Sequence, residues 1–357
     1  LAKRAAILKR QDPRVFLGYP ANMNLLPEGF LRWREELAGV EVNRRAGNSV
    51  GDPFHHRGAR LSSHFLEADL IERFGARFGF KQGDVWGFLS NSGTDSNMHG
   101  AYVGRTLLQR RTGVMPRVYY TPEAHYSIQI IRDLLGMDEV LVRADDSGAM
   151  DTGDLRAKLK DNGDAPALVI ATIGTTFKGG IDDIDAIRAA LVGKDAYVHL
   201  DAALFGGYLQ ASEYAADLLQ QGEQGKRYDS IAVSCHKFFG YPSSAGLFIT
   251  SASSFEEFRE YFSAVHDPAY ISHVPGTITC SRDSVKPAEF HYFSTEEALA
   301  QQKRDASQCL ANAAYLQREM SNHFADLNPR LVDPRSNTVY FDNSFPGSVK
   351  KKWTLAT

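Results

Sequence analysis

Residues 167–173 read ALVIATI and residues 196–203 read AYVHLDAA, two apolar runs separated by the helical pattern of Ile184–Leu191. The run Leu168–Ile170 is apolar on both faces, which is typical of strands that lie in a parallel sheet between two layers of helices. A strand, a helix and a second strand at this spacing are typical of an open α/β sheet. The segment therefore predicts the centre of such a sheet.

The same alternation extends outward along the chain. The predicted strands are Trp86–Leu89, Arg117–Tyr120, Glu139–Val142, Ala167–Ile173, Ala196–Leu200, Asp229–Val233 and Ala245–Thr250. An amphipathic helix is predicted before them over Ser62–Phe80, where Leu66, Leu70, Phe74 and Phe78 recur at every fourth position. We expect an α/β fold with a mostly parallel central sheet and helices on both faces.

The length of 357 residues and the order of the elements predict more than one domain. Residues 1–60 are irregular, residues 61–288 hold the predicted sheet, and residues 289–357 form a smaller C-terminal α/β domain. That domain is mostly helical, with a candidate strand over Asn337–Phe341. Because no final element follows this strand, we expect the C-terminal domain to be incomplete in this sequence.

Composition and charge exclude several classes of function. The 40 Lys and Arg residues oppose 43 Asp and Glu, a net charge of −3, which gives no electrostatic basis for a nucleic-acid or anionic-membrane partner. We find no signal peptide and no apolar run near the roughly 20 residues of a membrane-spanning helix. The three cysteines are too few for a disulfide framework or a cysteine zinc site. We expect a cytoplasmic protein.

Polar groups follow two of the predicted strands, where an α/β sheet collects its ligands. Residues 90–97, SNSGTDSN, form a small-residue turn before a helix, and such a turn offers N–H groups and hydroxyls to an anion such as phosphate. The plainer alternative is a helix cap at Ser92 or Thr94. Asp201 ends a strand and is followed by two alanines, which leave room for a flat group. A cap or a buried ion pair is the alternative there.

A third strand is followed by Lys237, which lies beside Phe238, Phe239 and Tyr241. A lysine in apolar company either extends its amine to water or is desolvated, and desolvation favours the neutral, nucleophilic amine. A phosphate cradle, a carboxylate for a ring nitrogen and an amine for an aldehyde are the anchors that pyridoxal 5'-phosphate requires. We predict this cofactor. No P-loop or G-x-G-x-x-G motif indicates a nucleotide.

Two other classes of function stay open on the residues alone. His199 and Asp201 have the spacing of two metal ligands on one strand face, with His55, His56 and His64 as further candidates, so a metal-dependent hydrolase is one alternative. No metal motif completes that set, and we predict no metal. A non-catalytic interaction protein is the other alternative, but it gives no reason for Lys237 to lie among aromatic residues.

Five motifs resemble the group II pyridoxal-phosphate-dependent amino-acid decarboxylases, most closely the bacterial histidine and plant serine decarboxylases. They are NSGT at 91–94, HYS at 125–127, IGTT at 173–176, HLDAA at 199–203 and SCHK at 234–237. The resemblance runs from residue 18 to about residue 297. It implies a fold-type I, aminotransferase-like subunit that works as a homodimer, with the active site at the interface. The N-terminal segment would contribute to both.

The resemblance also implies roles for individual residues. Lys237 would bind the cofactor's aldehyde, Asp201 would pair with its ring nitrogen, and His125 and Ala203 would cover the two faces of the ring. The phosphate would be held by Ser92, Gly93, Thr94, Ser234 and His236. Thr175 would lie near the ring edge, although it could equally just shape its turn. Tyr270, within DPAYISH at 267–273, would supply a proton to the substrate carbon.

The implied activity is decarboxylation of an L-amino acid to a primary amine and carbon dioxide, with histidine or a serine-like polar substrate. An aldehyde synthase or another carbanion reaction on the same scaffold is the alternative, which Tyr270 disfavours. The chain departs from these relatives at residues 280–285, CSRDSV, where they carry a sequence like Gly-Ser-Arg-Asn-Gly-His. This difference leaves the choice of amino acid open.

Overall fold

The computed structural model describes residues 26–38, 47–55, 62–221, 227–265 and 276–342. Its seven strands form one sheet in the order β1-β7-β6-β5-β4-β2-β3. The strands are β1 (Trp86–Ser90), β2 (Arg117–Tyr120), β3 (Glu139–Leu141), β4 (Ala167–Thr172), β5 (Ala196–Asp201), β6 (Ser230–Ser234) and β7 (Gly246–Thr250). Strand β7 runs antiparallel to β1 and β6, and the other pairs are parallel. The seven strands predicted between residues 86 and 250 and the mostly parallel sheet are confirmed.

Helices connect the strands and continue beyond the sheet. In the described part of the chain they are α1 (Glu28–Ala38), α2 (His64–Arg77), α3 (Gly93–Thr112), α4 (Ser127–Leu134), α5 (Thr152–Asp161), α6 (Ile184–Ala190), α7 (Gly206–Leu209), α8 (Ala215–Leu218), α9 (Ala252–Val265), α10 (Lys286–Phe290) and α11 (Glu296–His323). Helix α2 is shorter than the predicted Ser62–Phe80, because Gly79 takes a φ of 74° that a right-handed helix cannot include.

Helices cover both faces of the sheet, as predicted. Strand β7 shows this most simply, because Leu247 and Ile249 belong to one buried cluster while Phe248 belongs to the other. Such alternation follows from the two-residue period of a strand. The first cluster includes Phe74 of α2, and the second includes Leu107 of α3. Helix α3 therefore lies against one face, with its N-terminus at the edge where β1 ends.

The C-terminal region is helical as far as the structure describes it, and the strand predicted over Asn337–Phe341 is wrong. Tyr340 forms one antiparallel bridge with Arg330, and no regular strand follows from it within residues 276–342. Alternating apolar residues supply a strand's faces but not the neighbouring strand it must pair with. The boundaries at residues 60 and 288 stay predictions.

Candidate active site

The carboxyl ends of the parallel strands meet at one edge of the sheet. Thr172 at the end of β4 is the register partner of Asp201 at the end of β5, and Asp201 in turn faces Ala232 of β6. Gly246 at the start of β7 pairs with both Ser90 and Ser234, because β7 is reversed. A cavity of about 190 Å³ opens at this edge. It is lined by Ser92, Gly93, Thr94, Asn97, His125, Ser127, Thr172, Gly174, Thr176, Asp201, Ala203, Leu204, Ser234, His236, Lys237 and Ser244.

The N-terminus of α3 forms one end of the cavity. Ser92 is the N-cap residue and its hydroxyl accepts a hydrogen bond from the backbone N–H of Asp95 at 3.2 Å, so this serine both caps the helix and lines the cavity. A Cβ added to Gly93 would overlap Ser234 Oγ and lie 3.2 Å from Ala203 Cβ. Only glycine lets the three loops approach so closely. The free N–H groups of the first turn give this end an affinity for anions.

Asp201 provides a carboxylate at the floor of the cavity. The residue is buried at the end of β5, and its Oδ1 accepts a hydrogen bond from the backbone N–H of Ala203 at 3.2 Å. Ala203 is itself a lining residue and carries no bulk beyond its Cβ. A flat, positively charged group could therefore approach the carboxylate without meeting a larger side chain at Ala203.

Lys237 follows β6 and reaches the same cavity as Asp201. Its side chain is exposed in the open cavity, yet the surrounding protein is close enough for burial to lower the pKa of the amine below its usual 10.5, while the Asp201 carboxylate acts in the opposite direction. The neighbouring Phe239 is buried, and its ring lies 5.6 Å from Phe74. The aromatic residues thus anchor the turn in the core and leave the amine facing the cavity.

His125 lies on the cavity wall, and its hydrogen bonds indicate which of its ring nitrogens is an acceptor. Burial lowers the pKa of the imidazole, with smaller effects from Asp201, which raises it, and Lys237, which lowers it. The backbone N–H of Ser127 donates to His125 Nδ1 at 3.3 Å, and the Ser127 hydroxyl lies 2.8 Å from the same nitrogen. Since a backbone N–H can only donate, Nδ1 is an acceptor, and the neutral ring carries its proton on Nε2.

All the other predicted site residues that the structure describes, except Thr175, also line the cavity. His236 is a lining residue whose Nδ1 donates to the carbonyl oxygen of Ala245 at 3.2 Å. The Thr175 hydroxyl instead accepts from the backbone N–H of Gly180 at 2.9 Å and is buried, so it shapes its turn, and Thr176 faces the cavity. Tyr270 lies outside the described residues.

Several lining residues were not predicted. Asn97 lies one helical turn after Gly93, so the helical period of α3 could have identified it. Ser127 belongs to the HYS motif, and Thr172 precedes the IGTT motif. Ser244 could not have been found, because it precedes a strand and reaches this edge only through the reversal of β7. The residues not predicted are Asn97, Ser127, Thr172, Gly174, Thr176, Leu204 and Ser244.

The arrangement does not support a metal centre at His199 and Asp201. His199 is fully buried, with its Nδ1 2.7 Å from Ser230 Oγ and its Nε2 3.0 Å from Asn97 Oδ1, so both ring nitrogens are engaged. Throughout the described ranges, no group of three or more His, Cys, Asp or Glu residues could hold a metal ion. His64 is buried in α2, and His56 lies outside the described residues.

The cavity matches the chemistry of pyridoxal 5'-phosphate. Its anion-binding end at Gly93 suits a phosphate, its carboxylate at Asp201 suits a protonated ring nitrogen, and its amine at Lys237 suits an aldehyde. Ala203 leaves space for the flat ring beside the carboxylate. Three different groups, each complementary to one part of the cofactor, therefore open into one cavity.

Among the described residues, no helix is both long and apolar enough to cross a membrane.

Comparisons with known proteins agree with this chemistry. Residues 97–323 match the model of the pyridoxal-dependent decarboxylase conserved domain. The chain is 32% identical over 351 residues to the histidine decarboxylase of Mesorhizobium japonicum, covering 96% of this chain and 86% of that protein. It is 30% identical over 344 residues to serine decarboxylase 1 of Oryza sativa subsp. japonica, covering 95% and 66%.

A solved structure shares the fold at low sequence identity. The L-methionine decarboxylase from Streptomyces sp.590 superposes with a TM-score of 0.75 and 19% identity, covering 91% of this chain and 81% of that one. The predicted family, fold class, cofactor and reaction are thereby confirmed. The chain belongs to the pyridoxal-dependent decarboxylase family, and it is an enzyme that uses pyridoxal 5'-phosphate to decarboxylate an amino acid.

Proposed function

We propose that this enzyme converts a polar L-amino acid, histidine or a serine-like substrate, to its primary amine in the cavity that Lys237 and Asp201 share. The observation that carries the proposal is this shared cavity, which also includes the N-terminus of α3. When bound, pyridoxal 5'-phosphate supplies a conjugated, positively charged ring that accepts the electrons left by the departing carboxylate. Asp201 keeps the proton on the ring nitrogen, because a nearby negative charge favours the charged form.

The other residues hold and orient the reacting groups. Lys237 binds the aldehyde through its amine, and its lowered pKa increases the fraction that is neutral and nucleophilic. His125 would cover one face of the ring and Ala203 the other, and the Ser127 hydroxyl 2.8 Å from His125 Nδ1 would hold the imidazole in place. The phosphate is held by Ser92, Gly93, Thr94, Ser234 and His236. Tyr270 delivers the proton to the substrate carbon.

The lining of the cavity supports an uncharged or weakly basic substrate side chain. Among the described residues that line it there is no arginine, and Lys237 is its one lysine, so an acidic side chain would find no dedicated cation. The relatives named histidine decarboxylase and serine decarboxylase agree with this class.

Carbon dioxide release from the twenty amino acids should be highest with histidine or serine. A preference for glutamate would contradict the proposal, and an aldehyde product would identify an aldehyde synthase.

Asp201→Asn tests the proposed mechanism, because it keeps the shape of the side chain and removes its charge. We expect the rate of carbon dioxide release to fall by roughly a hundredfold or more, the scale of losing one group that stabilises transition-state charge. Asp161→Asn, which changes an exposed acid on α5, is the matched control and should keep full activity. Activity of Asp201→Asn within tenfold of the wild type would refute the assigned role.

Borohydride labelling tests Lys237 independently of turnover. Reduction of the cofactor-loaded protein converts the bond between the amine and the aldehyde to a stable one, so peptide mass spectrometry should find the label on Lys237. Lys286 is buried and donates to the carbonyl oxygen of Ser244 at 3.1 Å, which makes it a suitable comparison that should stay unlabelled. A label on any other lysine would exclude Lys237 as the cofactor's anchor.

We propose that the enzyme is a homodimer, with a second copy of the chain bound across an apolar stripe beside the active site. Tyr126, the N-cap residue of α4, is followed at every fourth position by Ile130 and Leu134 within the helix, and the three side chains are 68%, 51% and 68% exposed. The stripe is continuous with the site, since the Tyr126 ring lies 4.4 Å from the ring of His125. Ile130→Glu should therefore dissociate the dimer in sedimentation experiments.

Val192→Glu is the control for the dimer experiment, because Val192 is 83% exposed and precedes β5 at the opposite edge of the sheet. It should leave the dimer intact, and an Ile130→Glu dimer of unchanged stability would refute the interface.

We also propose a cytoplasmic location, supported by three cysteines that are all unpaired. The proposed organisation keeps residues 61–288 as the cofactor-binding domain and residues 289–357 as the small domain.

A further inference from the structure

Asn97 occupies a position in the cavity that the proposed function does not use. It lies one turn into α3, is buried within the protein and lines the cavity. Its Oδ1 forms a hydrogen bond with His199 Nε2 at 3.0 Å, so the oxygen of the amide already has a partner. Its Nδ2 has no hydrogen-bond partner anywhere in the described ranges. The nitrogen is thus the end of this amide that remains for a ligand.

His199 is held in one orientation behind Asn97. Its ring is fully buried, and a Cβ added to Gly100 of α3 would overlap it, so the helix leaves space for the imidazole only because residue 100 is a glycine. On the other side Ser230, the register partner of His199 on β6, places its Oγ 2.7 Å from Nδ1. The ring therefore cannot turn without losing two hydrogen bonds.

These contacts give each hydrogen bond a direction. Burial lowers the pKa of His199 to about 3, so the ring is neutral and has one N–H and one lone pair. Because Asn97 presents an oxygen to Nε2, the proton lies on Nε2, and the Ser230 hydroxyl donates to Nδ1. The chain of bonds runs from Ser230 through His199 to Asn97. It leaves the Asn97 NH₂ group as a donor toward the cavity.

We propose that Asn97 is an additional cofactor-binding residue and that His199, supported by Ser230, is the positioning residue that fixes its amide. The NH₂ group donates to an oxygen of pyridoxal 5'-phosphate, because it can serve an acceptor and not a donor. This inference rests on the proposed cofactor site. A buried polar relay suits this task, since a mobile amide could present either its oxygen or its nitrogen to the ligand.

Binding of pyridoxal 5'-phosphate to the cofactor-free protein, followed by absorbance and fluorescence, tests the role of Asn97 without turnover. Asn97→Asp keeps an oxygen for His199 and replaces the donor by a second oxygen, so we expect the dissociation constant to rise roughly tenfold or more. Asn312→Asp changes an exposed asparagine of α11 whose Oδ1 also accepts a hydrogen bond, and it should bind like the wild type. An unchanged dissociation constant for Asn97→Asp would overturn the proposal.

A double-mutant cycle tests whether His199 acts through Asn97. His199→Leu should raise the dissociation constant roughly threefold to tenfold. His199→Gln, whose amide can still donate to Asn97 Oδ1, should restore binding. In the Asn97→Asp background, His199→Leu should have no further effect on binding, because the relay then has no donor to position. Additive effects would overturn the positioning role.

A purely structural role predicts a different pattern. The His199 and Asn97 variants would then share a lowered melting temperature while the folded protein bound the cofactor normally, which would also overturn the proposal. Borohydride labelling distinguishes failure of the Asn97 proposal from failure of the proposed cofactor site. If the label is on Lys237 and Asn97→Asp binds like the wild type, this inference alone fails; if Lys237 is not labelled, the proposed cofactor site fails with it.

Discussion

Gly93 shows how one missing side chain determines the shape of the cavity. It brings α3, the end of β6 and the loop after β5 together at the proposed phosphate end, because its backbone lies against Ser234 and Ala203. A larger residue must displace Ser234 or push the first turn of α3 outward. Either movement changes the position of the backbone N–H groups at the proposed phosphate end of the cavity.

We predict that Gly93→Ala weakens binding of pyridoxal 5'-phosphate roughly tenfold, since overpacking a close contact carries a penalty of about 1–3 kcal/mol. Titration of the cofactor-free protein measures this. Gly153→Ala is the matched control, because Gly153 is also in the first turn of a helix and its added Cβ would meet only Asp151 Oδ1 at 3.1 Å. Normal cofactor binding by Gly93→Ala would contradict the prediction.

An ion pair at the scale of the elements joins distant parts of the chain. Arg282 and Glu67 are 2.7 Å apart and only 2% and 1% exposed. Arg282 also donates to the carbonyl oxygen of Gly51 at 2.8 Å, and Glu67 accepts from the backbone N–H of Leu89 at 2.8 Å. The pair thus connects α2 and β1 with the two segments 47–55 and 276–285.

Arg282→Met should lower the free energy of unfolding by roughly 3–5 kcal/mol, because it leaves the Glu67 carboxylate buried without its cation. Burial already raises the pKa of Glu67 while Arg282 opposes that effect, so the pKa rises further in the variant. A carboxyl group with a raised pKa in the folded state loses stability as pH rises, and the deficit should be larger at pH 8 than at pH 5.

Chemical denaturation at the two pH values measures the deficit of Arg282→Met. The exposed pair Arg32–Glu297, with side chains 61% and 65% exposed, provides the comparison, and Arg32→Met should change the free energy by less than about 1 kcal/mol. A similarly small effect of Arg282→Met would show that the buried pair contributes little to stability.

The elements also show what the sequence can predict. Strands such as β4 were predictable because both of their faces are apolar. Asp201 was predictable because it ends such a strand, and Lys237 because it comes soon after one. The direction of β7 was not, since an apolar run has no polarity, and the contribution of Ser244 to the site depends on that direction. Asn337–Phe341 has the alternation of a strand but lacks a partner in the described region.

At the scale of the whole molecule, the buried histidines couple stability to pH. His99 lies among Trp86, Phe88 and Phe248, and burial lowers its pKa to about 3. The unfolded chain binds a proton near pH 6.5 that the folded protein excludes. Stability from this group is therefore complete above pH 6.5 and declines as pH falls toward 3.

His99→Leu should flatten this decline by as much as about 1.4 kcal/mol per pH unit between pH 6 and pH 4, the value for one proton. The comparison cancels the opposite effects of Glu67 and Asp182, whose raised pKa values are common to both proteins. Unfolding free energies across this range provide the measurement. His323→Leu removes an exposed histidine and should keep the wild-type slope, whereas a wild-type slope in His99→Leu would disprove the prediction.

The reversal of β7 also determines how the backbone holds Lys237. The connection from residue 235 to residue 245 starts and finishes at the same sheet edge, and its two ends are tied together where Ser234 pairs with Gly246. Lys237 therefore lies in a loop whose two ends are both fixed by strand pairing. One of those strands, β6, pairs directly with β5, which ends at Asp201. When other parts of the protein distort, the Lys237 amine and the Asp201 carboxylate should move together. The distance between them should therefore be preserved even when the surrounding helices are partly loosened.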